Sequence, residues 1–103
     1  MSLHRIYHPP DVFSAKDKQA LAENITALYT AVGLPEFYVN VIFIPIEKDS
    51  LFVGGQSKDK YIRIVVQHLA SQLHDKEIKK VIKDKYEKAI KGYIKEKDYE
   101  WEV

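Results

Sequence analysis

The stretch FYVNVIFIPI, Phe37 to Ile46, is apolar at nearly every position. A strand with one wet face alternates polar with apolar; one apolar in both alternations predicts burial on two sides. Val39, Val41 and Phe43 share one face, and Tyr38, Asn40, Ile42 and Ile44 share the other. Pro45 has no N–H for a ladder, so it belongs at the end of the strand or on a sheet edge. A sheet built on this segment needs cover above and below.

The flanking sequence supplies the rest of the fold. Leu3 to His8 reads as a short strand, ended by Pro9-Pro10. Ser14 is placed to cap a helix, with Asp17 in the first turn, where a negative charge suits the helix dipole. Leu21, Ile25, Leu28 and Val32 follow at helical spacing; Gly33 supplies the stop and Pro35 enforces it. Beyond FYVNVIFIPI, the segment SLFVGGQS turns or bulges at Gly54-Gly55, which take positive φ freely. Tyr61 to Leu69 is a second β-branched run. Asp75 to Lys95 predicts an amphipathic helix with one apolar stripe from Ile78 to Ile94. Its other face alternates Lys with Glu and Asp and reads as solvated surface. Tyr99, Trp101 and Val103 alternate with Glu100 and Glu102 as a closing strand.

The order is β-α-β followed by β-α-β. Crossovers are right-handed almost without exception, so each unit pairs its strands in parallel under one helix. The expected fold is α+β: tandem β-α-β units, with helices packed on one face of a four-stranded sheet. The opposite face is too apolar for water, which points to cover by another subunit. A ferredoxin-like monomer shares the element order and stands as the alternative.

A chain of 103 residues, 46% hydrophobic and 30% charged, fits one domain spanning 1–103. Its net charge of +1 creates no global field toward nucleic acid or membrane. The absence of cysteine excludes disulfides and thiol chemistry and fits a cytoplasmic setting. Neither a signal peptide nor a membrane span is visible. An RNA-binding sheet needs aromatics in an RNP pattern, and KDKYIRIVV offers a single tyrosine. His4 and His8 share a strand face, but no third metal ligand stands at suitable spacing. His68 reads as a satisfied polar residue near a strand end. Gly54-Gly55 lacks the Lys-Ser/Thr of a phosphate loop. Asn24-Ile25-Thr26 is a sequon within a helical pattern and is discounted.

The segments RIYHPPDVFSAKDKQALAENITALYTAVGLPEFYVNVIF and LFVGGQSKDKYIRIVVQHLA resemble the fungal oxalocrotonate tautomerases of the tautomerase superfamily, which are similar to cis-3-chloroacrylic acid dehalogenase. The likeness runs from about Leu3 to Leu69; beyond it, only the pattern and Trp101 agree. It implies a homotrimer with inward-facing sheets, small unsaturated or keto acids as substrates, and no cofactor. It also implies an amino-terminal proline, exposed by loss of the initiator methionine, as general base or acid. An amine in an apolar pocket has a lowered pKa, because desolvation disfavours the ammonium form, and can then shuttle a proton.

Ser2 stands at the position of that proline. If Met1 persists, the terminal amine is displaced by one residue; if Met1 is removed, Ser2 offers a primary amine, a poorer mimic of the ring nitrogen. The leading Met-Ser-Leu reads as an altered or engineered start. Tyr29 falls where the dehalogenase relatives carry a helical histidine. It either donates a hydrogen bond to substrate or sits beside the core stripe. The arginines that hold the substrate carboxylate in those relatives fall near Ser71 and His74, and neither is arginine here. Arg63 is the cation best placed to replace them, lining a pocket or lying on an exposed sheet edge. The acidic residue found beyond the last strand in the relatives has no counterpart before Val103. The resemblance therefore implies catalytic roles for Ser2 and Tyr29 and substrate contacts from Arg63, Ser71 and His74. The alternative is a catalytically inactive or engineered oligomeric variant with an assembly role.

Overall fold

The structure, a computed structural model, describes residues 1–68, 80, 83–85, 87, 88, 91 and 100–102. Its elements are β1 (Ser2–His8), α1 (Ala15–Thr30), a 3-10 turn (Glu36–Tyr38), β2 (Val39–Pro45), β3 (Phe52–Val53), β4 (Gln56–Ser57), β5 (Tyr61–His68) and β6 (Glu100–Glu102). Residues 80, 83–85, 87, 88 and 91 are helical, within the second predicted helix. The stripe expected from Ile78 to Ile94 lies outside the described residues.

Four strands form one sheet in the order β2-β1-β5-β6. β1 pairs in parallel with β2, and β5 in parallel with β6, as right-handed crossovers require. The two halves meet through an antiparallel β1–β5 seam. The sheet is thus two β-α-β units joined side by side. β2 and β5 do not neighbour each other, as they would in a split β-α-β sheet. β3 and β4 form a separate hairpin whose two-residue loop, Gly54-Gly55, has φ +59° and +81°. That conformation matches the twist of paired strands and is open to glycine at little steric cost.

α1 begins on a reciprocal cap. The Asp17 N–H donates to Ser14 Oγ at 3.0 Å, and the Ser14 N–H donates to Asp17 Oδ2 at 3.1 Å. Gly33, at φ +91°, turns the chain out of the helix. The buried line along the helix is Leu21, Ile25 and Tyr29, packed over Ile6, Ile62 and Ile64. Leu28 is only partly buried at its margin, and Val32 is 42% exposed. Tyr29 has taken the place that periodicity assigned to Val32.

FYVNVIFIPI is not strand throughout. Pro35 starts a 3-10 turn that ends at Tyr38, so the Tyr38 ring enters the core instead of sharing a face with Asn40. Phe37 is turned outward, 76% exposed. The strand itself is an edge strand with Pro45 as its last residue. Val39, Val41 and Phe43 pack against the core, while Ile42 is 46% exposed. Among the described residues this strand is therefore packed on one face only. Arg5 lies between Ile42 and Val65 in register, and Tyr7 between Ile44 and Arg63. This outer face is a mixed apolar and cationic surface.

Candidate active site

β1 occupies the middle of the sheet, and its first residue is the candidate proton carrier. Ser2 pairs with Val39 on one side and with His68 on the other. Alternation then sends Ser2, His4, Ile6 and His8 under α1 and leaves Leu3, Arg5 and Tyr7 half-buried on the outer face. Met1 projects past the sheet end, exposed.

The Ser2 side chain is fully buried. Its hydroxyl donates to the Tyr38 carbonyl at 3.3 Å and lies 3.0 Å from His4 Nε2. Asn40 Nδ2 donates to the Ser2 carbonyl at 3.4 Å. The His4 ring meets Tyr29 edge-on, with centroids 5.3 Å apart, and Tyr29 stacks at a tilt on Tyr38 at 6.0 Å. Burial, reinforced by neighbouring Tyr38, pushes the Tyr29 phenol well above its ordinary pKa. The group is a neutral hydroxyl at any working pH. Tyr29 thus belongs to the core and borders the residue-2 cluster through its ring contacts.

Arg63 is exposed on an interior strand, not on a sheet edge. It faces Tyr7 in register, five residues along β1 from Ser2, which is about 17 Å at strand rise. A single chain does not bring these two together. Ser71 and His74 lie outside the described residues. His4 and His8 are four residues apart, about 13 Å, and each is engaged locally. His8 Nδ1–H donates to the Pro9 carbonyl at 2.8 Å, while its Nε2 is buried without a hydrogen-bond partner. A cavity of about 280 Å³ lies at the far end of β1, between Pro9-Pro10 and Ile46, Leu51 and Tyr61. Among the described residues, its lining includes neither Ser2, Tyr29 nor Arg63.

The partners of Ser2 were not among the expected site residues. His4 was visible only as one of two histidines on a strand face, and the same alternation that paired it with His8 also set it beside Ser2. Tyr38 and Asn40 came into reach through the parallel pairing of β1 with β2, a contact across 36 or more residues.

The family described as "Putative oxalocrotonate tautomerase enzyme" matches residues 1–103. The chain belongs to this family. Among solved structures, it is 34% identical to RhCC from Rhodococcus jostii RHA1, covering 98% of this chain and 73% of that one at a TM-score of 0.88. A protein from the thermophilic fungus Aspergillus fumigatus is 28% identical over 99% of this chain and 71% of its own, with a TM-score of 0.87. N1, a member of the cis-3-chloroacrylic acid dehalogenase family, shares the fold at 14% identity and a TM-score of 0.74, covering 90% of this chain and 65% of that one. No match was found among curated protein sequences. The tautomerase family thus accounts for the tandem β-α-β sheet. Among the described residues, no helix is long and apolar enough to cross a membrane.

Proposed function

We propose that this tautomerase-family chain acts on small unsaturated or keto acids, with its amino-terminal residue as proton carrier, and that Ser2 impairs it. The observation that supports this reading is the anchoring of residue 2. Ser2 is laddered to strands on both sides and fully buried, so a nitrogen at this position has a fixed location. With Met1 removed, that nitrogen is the terminal amine. A general base must be unprotonated at the working pH and within hydrogen-bond reach of the proton it takes. Proline meets the first need as a secondary amine in an apolar pocket; serine supplies a primary amine with an added hydroxyl.

The substrate carboxylate falls to Arg63, Ser71 and His74. Arg63 lies beyond reach of its own Ser2, so it contributes only where a second copy completes the site. That agrees with a homotrimer of single-domain chains whose outer sheet faces pack inward. The reading is of a cytoplasmic, cofactor-independent protein with neither nucleic acid nor membrane as partner.

The test is the enol-to-keto conversion of phenylenolpyruvate, with intact mass recorded to fix whether Met1 is present. The Ser2→Pro chain, freed of Met1, is expected to gain about 100-fold over the unaltered chain, the lower range for a positioned acid or base. A folded Ser2→Pro chain with no gain would overturn the proposal. It would favour the second reading, a non-catalytic assembly protein, which the sealing of the Ser2 hydroxyl inside the core also suits.

A further inference from the structure

We propose that His4 is a positioning residue: its imidazole clamps the Ser2 side chain against the Tyr38 carbonyl and so fixes residue 2 at the sheet end. Only the kinetic consequence rests on the proton-carrier reading above.

A serine hydroxyl has one proton to give and two lone pairs to receive with. The Ser2 proton is directed at the Tyr38 carbonyl, 3.3 Å away. The 3.0 Å contact with His4 is then made by the Nε2–H tautomer donating to Ser2 Oγ. The relay runs from imidazole to hydroxyl to carbonyl, and it joins β1 to the turn that precedes β2. Ser2 and His4 are both fully buried, so neither bond is exchanged freely for water. Tyr29 stands edge-on against the imidazole and stacks on Tyr38, leaving the ring little room to turn.

A proline fixes an amino terminus covalently, through its ring. Serine in the same place has three staggered rotamers, and one that turns back brings the hydroxyl against its own amine. The clamp selects the rotamer that points into the core. It leaves the residue-2 nitrogen at the sheet end, while Asn40 holds the carbonyl from the β2 side. Hydrogen bonds here do what a proline ring would do. A hydroxyl 3.0 Å from an imidazole is also the geometry of a nucleophile and its base. Complete burial of both side chains argues against that use and for a structural hold on the terminus.

The test uses the full chain and reads hydrogen exchange at the Leu3 amide, which exists whether or not Met1 is retained. His4→Phe fills the space without a donor, and Ser2→Ala removes the acceptor. Each is expected to speed exchange about tenfold, the equivalent of one buried hydrogen bond. His4→Gln, which keeps an N–H donor, is expected to stay near the unaltered rate. The double variant is expected to exchange no faster than either single one. In the assay above, His4→Phe should lower kcat in the Ser2 chain but not in the Ser2→Pro chain, where no hydroxyl remains to be held. Unchanged Leu3 exchange in folded Ser2→Ala, or additive effects in the double variant, would overturn the clamp. Should His4→Phe fail to fold, Ser2→Ala against His4→Gln decides the matter. Coupled exchange without turnover in any chain leaves the clamp standing and removes the proton-carrier reading alone.

Discussion

His8 carries a pH signature set by its burial. It is buried between Phe13 and Phe43, and one of its nitrogens lacks a partner. Desolvation lowers its pKa below the ordinary 6.5; the Pro9 carbonyl bond partly offsets this, and the positive charge of Lys18 adds to it. The Lys18 ammonium lies 5.9 Å from the Phe43 ring centroid. The folded form therefore prefers neutral His8, and its contribution is complete above pH 6.5. As pH falls below that value the unfolded chain takes up the proton first, and stability declines toward the lowered folded pKa. His8→Asn keeps a donor for the Pro9 carbonyl and cannot titrate in this range. Denaturant unfolding at pH 7.5 and 5.5 should show a smaller loss in His8→Asn than in the unaltered chain. An equal loss in both would discard the assignment. Tyr29 shows what residue chemistry leaves unsettled beforehand. Its ring follows Ile25 by one turn and belongs to the core, while its hydroxyl made a site residue equally plausible.

Helix α1 was legible in the sequence because its signals act over three or four residues. Ser14 and Asp17 close a reciprocal cap, and Gly33 takes the positive φ that ends the helix. Ser14→Ala is expected to cost about 1 kcal/mol, typical of a lost N-cap. The change can be read from the midpoint of urea unfolding at constant slope. Asp17→Ala added to it should cost less than its single effect, because each side chain serves the other. The line of buried residues was less legible. Leu21, Ile25, Leu28 and Val32 fit the helical period, yet Val32 faces water because the chain turns away at Gly33. Tyr38 was assigned to the strand by alternation. The turn set up by Pro35 rotates it into the core, and alternation holds only where the ladder begins, at Val39.

The strand directions followed from element order, since a right-handed crossover makes each unit parallel. Which strands meet at the seam is a long-range matter that no local pattern in Leu3–His8 or Tyr61–Leu69 records. That seam puts Ser2 in mid-sheet. In the proposed homotrimer, the exposed Ile42, beside half-buried Leu3, Ile44 and Val65, would lie against a second copy. Ile42→Lys should shift the chain toward monomer in sedimentation equilibrium while far-ultraviolet dichroism stays unchanged. An unaltered mass would show that this face is not the interface. The central place of β1 has a bearing on synthesis as well. β1 is made before both of its sheet neighbours and waits for them, one complete at Pro45 and the other at His68. Until then its backbone groups are satisfied by solvent or by whatever shields a nascent chain. Leader residues fused ahead of Ser2 would remain at the sheet end after folding, so a tag belongs at the other terminus.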